Sequence, residues 1–461
     1  MTLIKSISGI RGTIGGEPGD GLSPLDVVKF TSAYAMMLKA KHNGKIKVVV
    51  GRDARLSGEM IENLVNSTLI SMGFDVVNLG FSTTPTVEME VVHYKAQGGI
   101  ILTASHNPKQ WNALKLLNEK GEFISGAEGE ELLEIAEKDA FEFAEVDDLG
   151  TITNDDSAIE RHIQKVLDLP LVDVNSIKSK NFKVAIDCVN STGGIALPKL
   201  LKALGVKEII ELYTEPTGRF PHNPEPLPEH LTELSKVMIE SKADCGFVVD
   251  PDVDRLAMVM SNGEMFGEEY TLVSVADYVL QHTGGNTVSN MSSTRALRDV
   301  TENKGYKYFA SAVGEVNVVE LMKHENAIIG GEGNGGIIYP ELHYGRDALV
   351  GIALFLTHLA KSGKNIIELR NSYPAYFISK NKIELTPQIN VDEILVKIAD
   401  KYKNEKVSTI DGVKIDFAEE WVHLRKSNTE PIIRIYAESK TIESADNLAK
   451  RIISEIKSLI S

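Results

Sequence analysis

Asp250, Asp252 and Asp254 stand at alternate positions in "VVDPDVDR", residues 248–255. In an extended turn alternate residues share one side, so three carboxylates come within a few ångströms of one another. Two like charges about 5 Å apart repel by roughly 3 kcal/mol at an effective dielectric near 20. A hard divalent cation with oxygen ligands relieves that repulsion, and Mg²⁺ keeps coordination positions open for phosphate oxygens. The loop is not an EF-hand, because it lacks that motif's glycine and terminal glutamate. It leaves a buried-strand pattern, "GFVV", which favours a metal site over a solvated acidic turn.

Three other stretches carry chemistry. "ILTASHNP", residues 101–108, passes from apolar residues straight to Thr103, Ala104, Ser105, His106, Asn107 and Pro108. It reads either as a tight turn or as a nucleophile, Ser105, held at the mouth of a sheet. "GGEGNGG", residues 330–336, formally contains G-x-G-x-x-G, but "IIYPELHYG" with Pro340 follows where a dinucleotide fold needs a helix. A loop that carries Glu332 and Asn334 to a polar ligand fits better, with Glu332 accepting from sugar hydroxyls; the plainer reading is a turn carboxylate. "LRKSNTEPIIR", residues 424–434, gathers Arg425, Lys426, Ser427, Asn428, Thr429 and Arg434. Guanidinium, hydroxyls and turn amides suit a phosphate dianion, and the alternative is a solvated basic turn.

The elements that must hold these loops alternate. Strand patterns "KIKVVVG", "FDVVNLG" and "GGIILTAS" are separated by helix patterns over 57–73 and "TVEMEVVHYKA", the signature of parallel sheets with covered faces. An acidic stretch, 137–157, breaks the pattern and marks a boundary. The alternation restarts at "KVAIDCVN" and again after "RLAMVMSNGEMFGEEY", which reads as a hairpin turning at Asn262-Gly263. Beyond "LAKSG" (359–363) the strands look antiparallel, with helices expected at 391–402 and 442–459. The reading is α/β, with three similar units over 1–150, 151–255 and 256–366 and a smaller α+β unit over 367–461. Each unit contributes one of the four loops, and open α/β sheets bind ligands beyond the carboxyl ends of their strands.

The chain has 461 residues, 43% of them hydrophobic, and a formal net charge of -16. That charge argues against a nucleic-acid partner. No run of about 18 apolar residues predicts a membrane span. "MTLIKSISGIRG" lacks the apolar core of a secretory signal. Cys188 and Cys245, both in apolar runs, read as buried thiols in a reducing cytoplasm.

A serine at a strand end, an aspartate turn, a polyol loop and a phosphate loop, one per unit and in that order, closely resemble the α-D-phosphohexomutases over nearly the whole chain. "TASHNP" and "DPDVDR" are the most specific parts. The resemblance implies three mixed α/β domains around a central cleft plus a smaller C-terminal domain. It implies a phosphoserine at Ser105 and Mg²⁺ held by Asp250, Asp252, Asp254 and the phosphoserine, with Arg255 nearby. It matches an early arginine of the family to Arg11, and a candidate general acid/base to Lys115, ten residues after the serine. His106 either tunes the nucleophile or orders its loop. Glu332 and Asn334 take the sugar; Arg425, Ser427, Asn428 and Thr429 take a phosphate, with Arg434 as an extra ligand.

The implied activity interconverts hexose 6-phosphate and hexose 1-phosphate through a bisphosphorylated sugar, which is also the activator. Pro251 and Val253 fill variable places of the family's Asp-Gly-Asp-x-Asp-Arg motif. Gly336 stands where many phosphomannomutase/phosphoglucomutase members carry histidine, and Glu315 where some relatives do. The loop "GGEGNGG" and the run "TEPIIRIYAE" are similar to glucosamine-type members, so a glucosamine phosphate is the favoured substrate. A broad glucose/mannose mutase is the alternative. From other classes, a metal-dependent sugar phosphatase and a non-catalytic sugar-phosphate binding protein are the competing readings.

Overall fold

The computed structural model describes residues 1–6, 9–384, 390–426 and 432–460. It divides into two compact units, Met1–Thr271 with Asn334–Ile367, and Leu272–Gly333 with Glu368–Ser461.

The first unit holds two sheets. One runs in the order Leu3–Ser6, Gly9–Thr13, Trp111–Leu117, Gly98–Leu102, Lys47–Arg52, Asp75–Phe81, Ile152–Asn154. Its last four strands are parallel, as alternation requires. Its first four pair antiparallel, so the sheet is mixed, as expected of a mixed α/β domain, although strand–helix alternation by itself signals only its parallel part. The antiparallel return after Gly98–Leu102 follows from loop length: residues 103–110 are too few for a crossover, which takes a dozen or more. The chain therefore turns back on itself, and "TASHNP" occupies the reversal. The acidic stretch after residue 137 goes on to supply the edge strand Ile152–Asn154.

The sheet is backed by helix Pro24–Lys41, which opens with Ser23 and Asp26 in a reciprocal capping box and Pro24 in the first turn. Tyr34 from this helix donates to the carbonyl of Leu117 at 2.5 Å. A Cβ at Gly98 would lie 2.1 Å from the Tyr34 hydroxyl oxygen, so the glycine is what lets helix and strand approach.

The second sheet runs Leu256–Met260, Cys245–Val249, Lys183–Asp187, Glu208–Leu212. It is parallel except for Leu256–Met260, which returns antiparallel. The aspartate turn fills that reversal. The expected hairpin follows, with Met260 N–H donating to Glu264 and Gly263 in the left-handed region. Both chemical loops of this unit thus sit where a parallel strand ends and the chain turns back.

Helix Ala348–Ser362 is buried along nearly its whole length and capped by Asp347, whose Oδ1 accepts from the N–H of Leu349 at 2.8 Å. Asp347 Oδ2 also lies 2.9 Å from His162 Nε2 and 3.3 Å from His343 Nε2, while His343 Nδ1 lies 3.3 Å from Glu88. Burial alone would lower the His343 pKa, but Asp347 and Glu88 outweigh it and raise it to about 10. A pKa raised above the unfolded value of about 6.5 gives stability that is complete below pH 6.5. It fades as pH rises through about 10. His343→Gln is therefore expected to lower Tm most near pH 6, by the equivalent of a few kcal/mol, with the gap closing towards pH 10. Parallel Tm curves for the two proteins across that range would refute it.

The second unit contains a parallel sheet with Tyr308–Ser311, Asn286–Asn290 and Ala327–Glu332. It also contains an antiparallel sheet in the order Phe377–Glu384, Ile432–Ser439, Trp421–Lys426, Val413–Asp416, Lys406–Ser408. Helices Val391–Lys401 and Ile442–Ile460 cover the latter, packing Ile394, Ile398 and Ile452 on Val422, Ile433 and Ile435. No helix begins at Gly336, which opens the strand Gly336–Ile338. Cys188 and Cys245 are buried and unbridged. No described helix is long and apolar enough to cross a membrane.

Candidate active site

Ser105 is buried and adopts φ +49°, a left-handed backbone that costs a non-glycine residue about 1–2 kcal/mol. Its surroundings hold it there. Its N–H donates to Thr103 Oγ1 at 2.9 Å, and that hydroxyl donates to Asp53 Oδ2 at 2.7 Å. Its carbonyl accepts from Arg55 Nη2 at 2.5 Å. The Ser105 hydroxyl donates to Asp250 Oδ2 at 2.7 Å and lies 3.3 Å from His106 Nδ1. Burial, with Arg255 and Arg11 adding repulsion, pushes His106 well below its ordinary pKa, so the ring is neutral. Arg11 Nη1 donates to Asn107 Oδ1 at 2.8 Å.

The aspartate turn closes with Val253 N–H donating to Asp250 O at 3.1 Å. Pro251 suits the second position of such a turn because its φ is preset. Val253 then takes φ +63°, an outlier for a β-branched residue and a sign of strain at a functional turn. The Ser191 and Thr192 hydroxyls donate to Pro251 O at 2.7 and 2.8 Å. Thr84 donates to Asp252 through both its N–H and its hydroxyl, at 2.9 and 2.6 Å.

Asp250, Asp252 and Asp254 are fully buried, with one oxygen from each inside a 4.8 Å span. Lys115 Nζ lies 2.7 Å from Asp252 Oδ2 and 3.5 Å from Asp254 Oδ2. Arg346 Nη2 lies 2.7 Å from Asp254 Oδ2. The remaining oxygens, Asp252 Oδ1 and Asp254 Oδ1, are buried and accept no hydrogen bond. Buried carboxylate oxygens left unpartnered are costly, and an all-oxygen set of this size suits a hard divalent cation. The residues present fit a metal ion.

Burial, with Asp252 and Asp254 beside it, raises Asp250 well above the ordinary carboxylate range. Burial would also raise Asp252, but Lys115 and the Thr84 hydroxyl more than reverse this and hold it low. For Lys115, burial favours the neutral amine, yet Asp252 and Asp254 prevail and raise its pKa.

One reversal thus delivers both Ser105 and Lys115, and the other delivers the three aspartates. Arg11 reaches the same loop from strand Gly9–Thr13. Arg255 sits at the end of the turn, its backbone N–H donating to Asp250 Oδ1 at 3.3 Å. Asn334 lies in this first unit too, but its Oδ1 accepts from the N–H of Gly336 in a local turn at 3.2 Å. A Cβ on Gly336 would stand 2.3 Å from Arg346 Cδ. A side chain there would require the arginine that holds Asp254 to shift.

Glu332 belongs to the second unit, buried, with Oε1 accepting from Asn290 Nδ2 at 2.8 Å and from Gly314 N–H at 3.2 Å. Glu315, also buried, opens the helix Glu315–His324 one residue after that glycine. Arg425 and Arg434 face each other across neighbouring strands. Like charges directly opposite are unfavourable unless an anion lies near, although Arg425 also meets Asp411 at 2.8 Å. Lys426 pairs with Asp392 at 3.1 Å. Ser427, Asn428 and Thr429 lie outside the described residues.

Arg55, Asp53, Thr84 and Arg346 were not anticipated. "GRDARLSG" just after a buried strand was the available signal for the first two, since it places a charge pair at a strand's carboxyl end. Nothing local marks Thr84 or Arg346.

A serine hydroxyl bonded to one of three buried carboxylates, beside a lysine and arginines, is the furniture of metal-assisted phosphoryl transfer. The comparisons agree. Family models for phosphoglucomutase/phosphomannomutase α/β/α domains I, II and III match residues 3–143, 160–263 and 267–376, and the C-terminal domain model matches 385–455. The chain belongs to the α-D-phosphohexomutase family, and it is an enzyme of the mutase class.

A phosphoglucomutase/phosphomannomutase of Thermococcus kodakarensis is 35% identical, over 95% of this chain and 94% of the relative. A phosphoglucosamine/phosphogalactosamine mutase of Sulfurisphaera tokodaii is 33% identical, over 100% and 99%. The solved structure of a phosphoglucomutase/phosphomannomutase family protein from Burkholderia thailandensis superposes with a TM-score of 0.86 at 25% identity, covering 99% of this chain and 97% of that one.

Proposed function

We propose that the enzyme interconverts hexose 6-phosphate and hexose 1-phosphate through a phosphoserine at Ser105, with glucosamine phosphate favoured. The Ser105 Oγ to Asp250 Oδ2 contact at 2.7 Å carries the mutase reading, because it sets the relay atom against the carboxylate trio. Mg²⁺ held by Asp250, Asp252, Asp254 and the phosphoserine would offset charge on the transferring phosphoryl group.

The phosphorus–oxygen bond to Ser105 breaks as one to the sugar hydroxyl forms, and the hydroxyl proton ends on Ser105 Oγ. Lys115 is the group we assign to moving that proton. Paired with Asp252, it rests protonated; it gives a proton to the departing Ser105 oxygen, and the amine so formed takes the proton of the sugar hydroxyl. Neutral His106, 3.3 Å from Ser105 Oγ, orders the loop and can accept from it. Arg11 and Arg255 face the phosphoserine. The bisphosphorylated sugar then reorients, and its other phosphate returns to Ser105. Such a sugar bisphosphate also serves as activator, priming the serine. Glu332 and Asn334 are assigned to the sugar. Arg425, Ser427, Asn428, Thr429 and Arg434 are assigned to the phosphate that is not reacting, which supplies positioning energy.

In this reading, residues 1–150 carry the phosphoserine, 151–255 the metal turn, 256–366 the sugar loop and 367–461 the phosphate loop. The partner is a small sugar phosphate in the cytoplasm. A phosphatase would release inorganic phosphate steadily, whereas this enzyme conserves it.

Two observations favour the amino sugar, beside the resemblance of the Gly336 loop to glucosamine-type members. Glu315 follows the glycine that bonds Glu332. The Sulfurisphaera tokodaii relative is named for amino sugars. An added carboxylate contact to an ammonium at C2 is worth about 1.5–3 kcal/mol, or one to two decades. Measuring kcat/KM for glucosamine 6-phosphate, glucose 1-phosphate and mannose 1-phosphate on one preparation is therefore expected to favour glucosamine by roughly 10- to 100-fold. A tenfold preference for either neutral sugar would overturn the sugar assignment and leave the mutase in place.

A further inference from the structure

We infer that Arg55 is the positioning residue of the phosphoryl relay, a buried clamp that fixes the backbone of the Ser105 loop so that Oγ faces the aspartate trio. The inference rests on the reading that Ser105 carries the phosphoryl group. Arg55 is buried, and all five of its guanidinium N–H groups are used. Nε donates to Asp53 Oδ2 at 3.0 Å. Nη1 donates to the carbonyls of Pro108 and Trp111, both at 2.9 Å. Nη2 donates to the carbonyls of Ser105 and Asn107, at 2.5 and 2.6 Å.

Four of the five acceptors are therefore backbone oxygens of the reversal that carries the serine. The fifth, Asp53, receives the Thr103 hydroxyl that itself accepts the Ser105 N–H. Both peptide groups flanking the Ser105 Cα hang on one ion pair. A left-handed serine persists only where its surroundings over-determine it, and this clamp does so. The Phe220 ring stacks 5.2 Å from the guanidinium carbon and helps keep it in place.

The geometry needs an arginine. A lysine has three donors around one point and cannot span carbonyls spread from Ser105 to Trp111. An ordinary core ion pair would need neither the fork nor this choice of acceptors. Arg55 does not touch the reacting atoms, so its effect falls on the rate of transfer and not on capture of the sugar phosphate.

The test compares Arg55→Lys and Arg55→Ala with the wild type in four measurements. These are kcat and KM for a hexose 1-phosphate with its bisphosphate activator, Ser105 phosphorylation by intact mass, Mn²⁺ affinity by electron paramagnetic resonance, and Tm. In Arg55→Lys, kcat is expected to fall about 100-fold, the scale of a misplacement near 1 Å. KM and Mn²⁺ affinity should stay within about threefold. Where Arg55→Ala folds, guanidinium in the tens of millimolar should restore part of kcat and methylammonium should not.

A folded Arg55→Lys with kcat within threefold of wild type overturns the inference. So does a parallel loss of Mn²⁺ affinity and kcat, which marks a general structural role. Wild-type protein that never gains a phosphoryl group at Ser105 overturns the relay reading itself, and is told apart by the mass alone.

Discussion

Ser105→Ala is expected to end turnover while the protein stays folded. The substitution removes one atom, Oγ, and that atom is the proposed carrier of the phosphoryl group. No other described hydroxyl donates to Asp250. Loss of a nucleophile costs at least about four orders of magnitude where the chemistry runs through it. The fold should barely notice, because alanine opens no sizeable cavity. The loop keeps its backbone bonds to Arg55 and Thr103, and one lost hydrogen bond is worth about 1 kcal/mol. Asp250, which burial already holds towards its neutral form, tolerates the loss of the donor. The measurements are kcat in a coupled assay, Tm, and intact mass after incubation with the bisphosphate activator. Wild type should gain one phosphoryl group and the variant none. Turnover within tenfold of wild type would remove Ser105 from the mechanism.

The parts of this site that were legible in the sequence share a property: their chemistry is local. Asp250, Asp252 and Asp254 announce themselves because alternate residues of one turn must meet. Ser105 is conspicuous because small polar residues follow an apolar strand at once. Lys115 has no local mark; only its spacing from Ser105 in a resembling family singled it out, and the antiparallel return that brings it to Asp252 follows from a loop too short to cross over. Arg55 and Arg346 were invisible for complementary reasons. The acceptors of Arg55 are mainly backbone carbonyls, which every sequence contains. The partner of Arg346 is in part an absence, the missing Cβ of Gly336, and a glycine does not say what fills its space.

The fold shows the same contrast. Alternating strands and helices identified the layers. The edge strands Leu3–Ser6 and Ile152–Asn154 are too short to show a period. Helix Pro24–Lys41 is buried around most of its surface, so its apolar residues form no stripe. The capping box at Ser23 and Asp26 is a local mark of where it starts, and it went unread.

Removing divalent cations is expected to silence the enzyme, Mg²⁺ to restore it, and Asp250→Asn to stay silent while standing up better to heat without metal. Lys115 and Arg346 occupy one oxygen each of Asp252 and Asp254, while the other oxygens accept no hydrogen bond and Asp254 Oδ1 has Arg255 Nε only at 3.8 Å. The metal-free trio is thus under-compensated, and Asp250 responds by holding its proton. A cation that binds only the folded state at 100 times its Kd adds about 2.7 kcal/mol. For a unit of this size that is a Tm rise of about 4 °C. The chemical step depends on several kcal/mol of charge stabilisation from such an ion, so chelation should cost about three decades or more in kcat. Asparagine at 250 keeps the acceptor for the Ser105 hydroxyl and removes the cost of holding a carboxyl protonated at neutral pH. Its metal-free Tm should therefore equal or exceed that of wild type, and the Mg²⁺-induced rise should vanish. Full activity after exhaustive chelator dialysis, or an undiminished Mg²⁺ shift in Asp250→Asn, would show that the metal is not held by this turn.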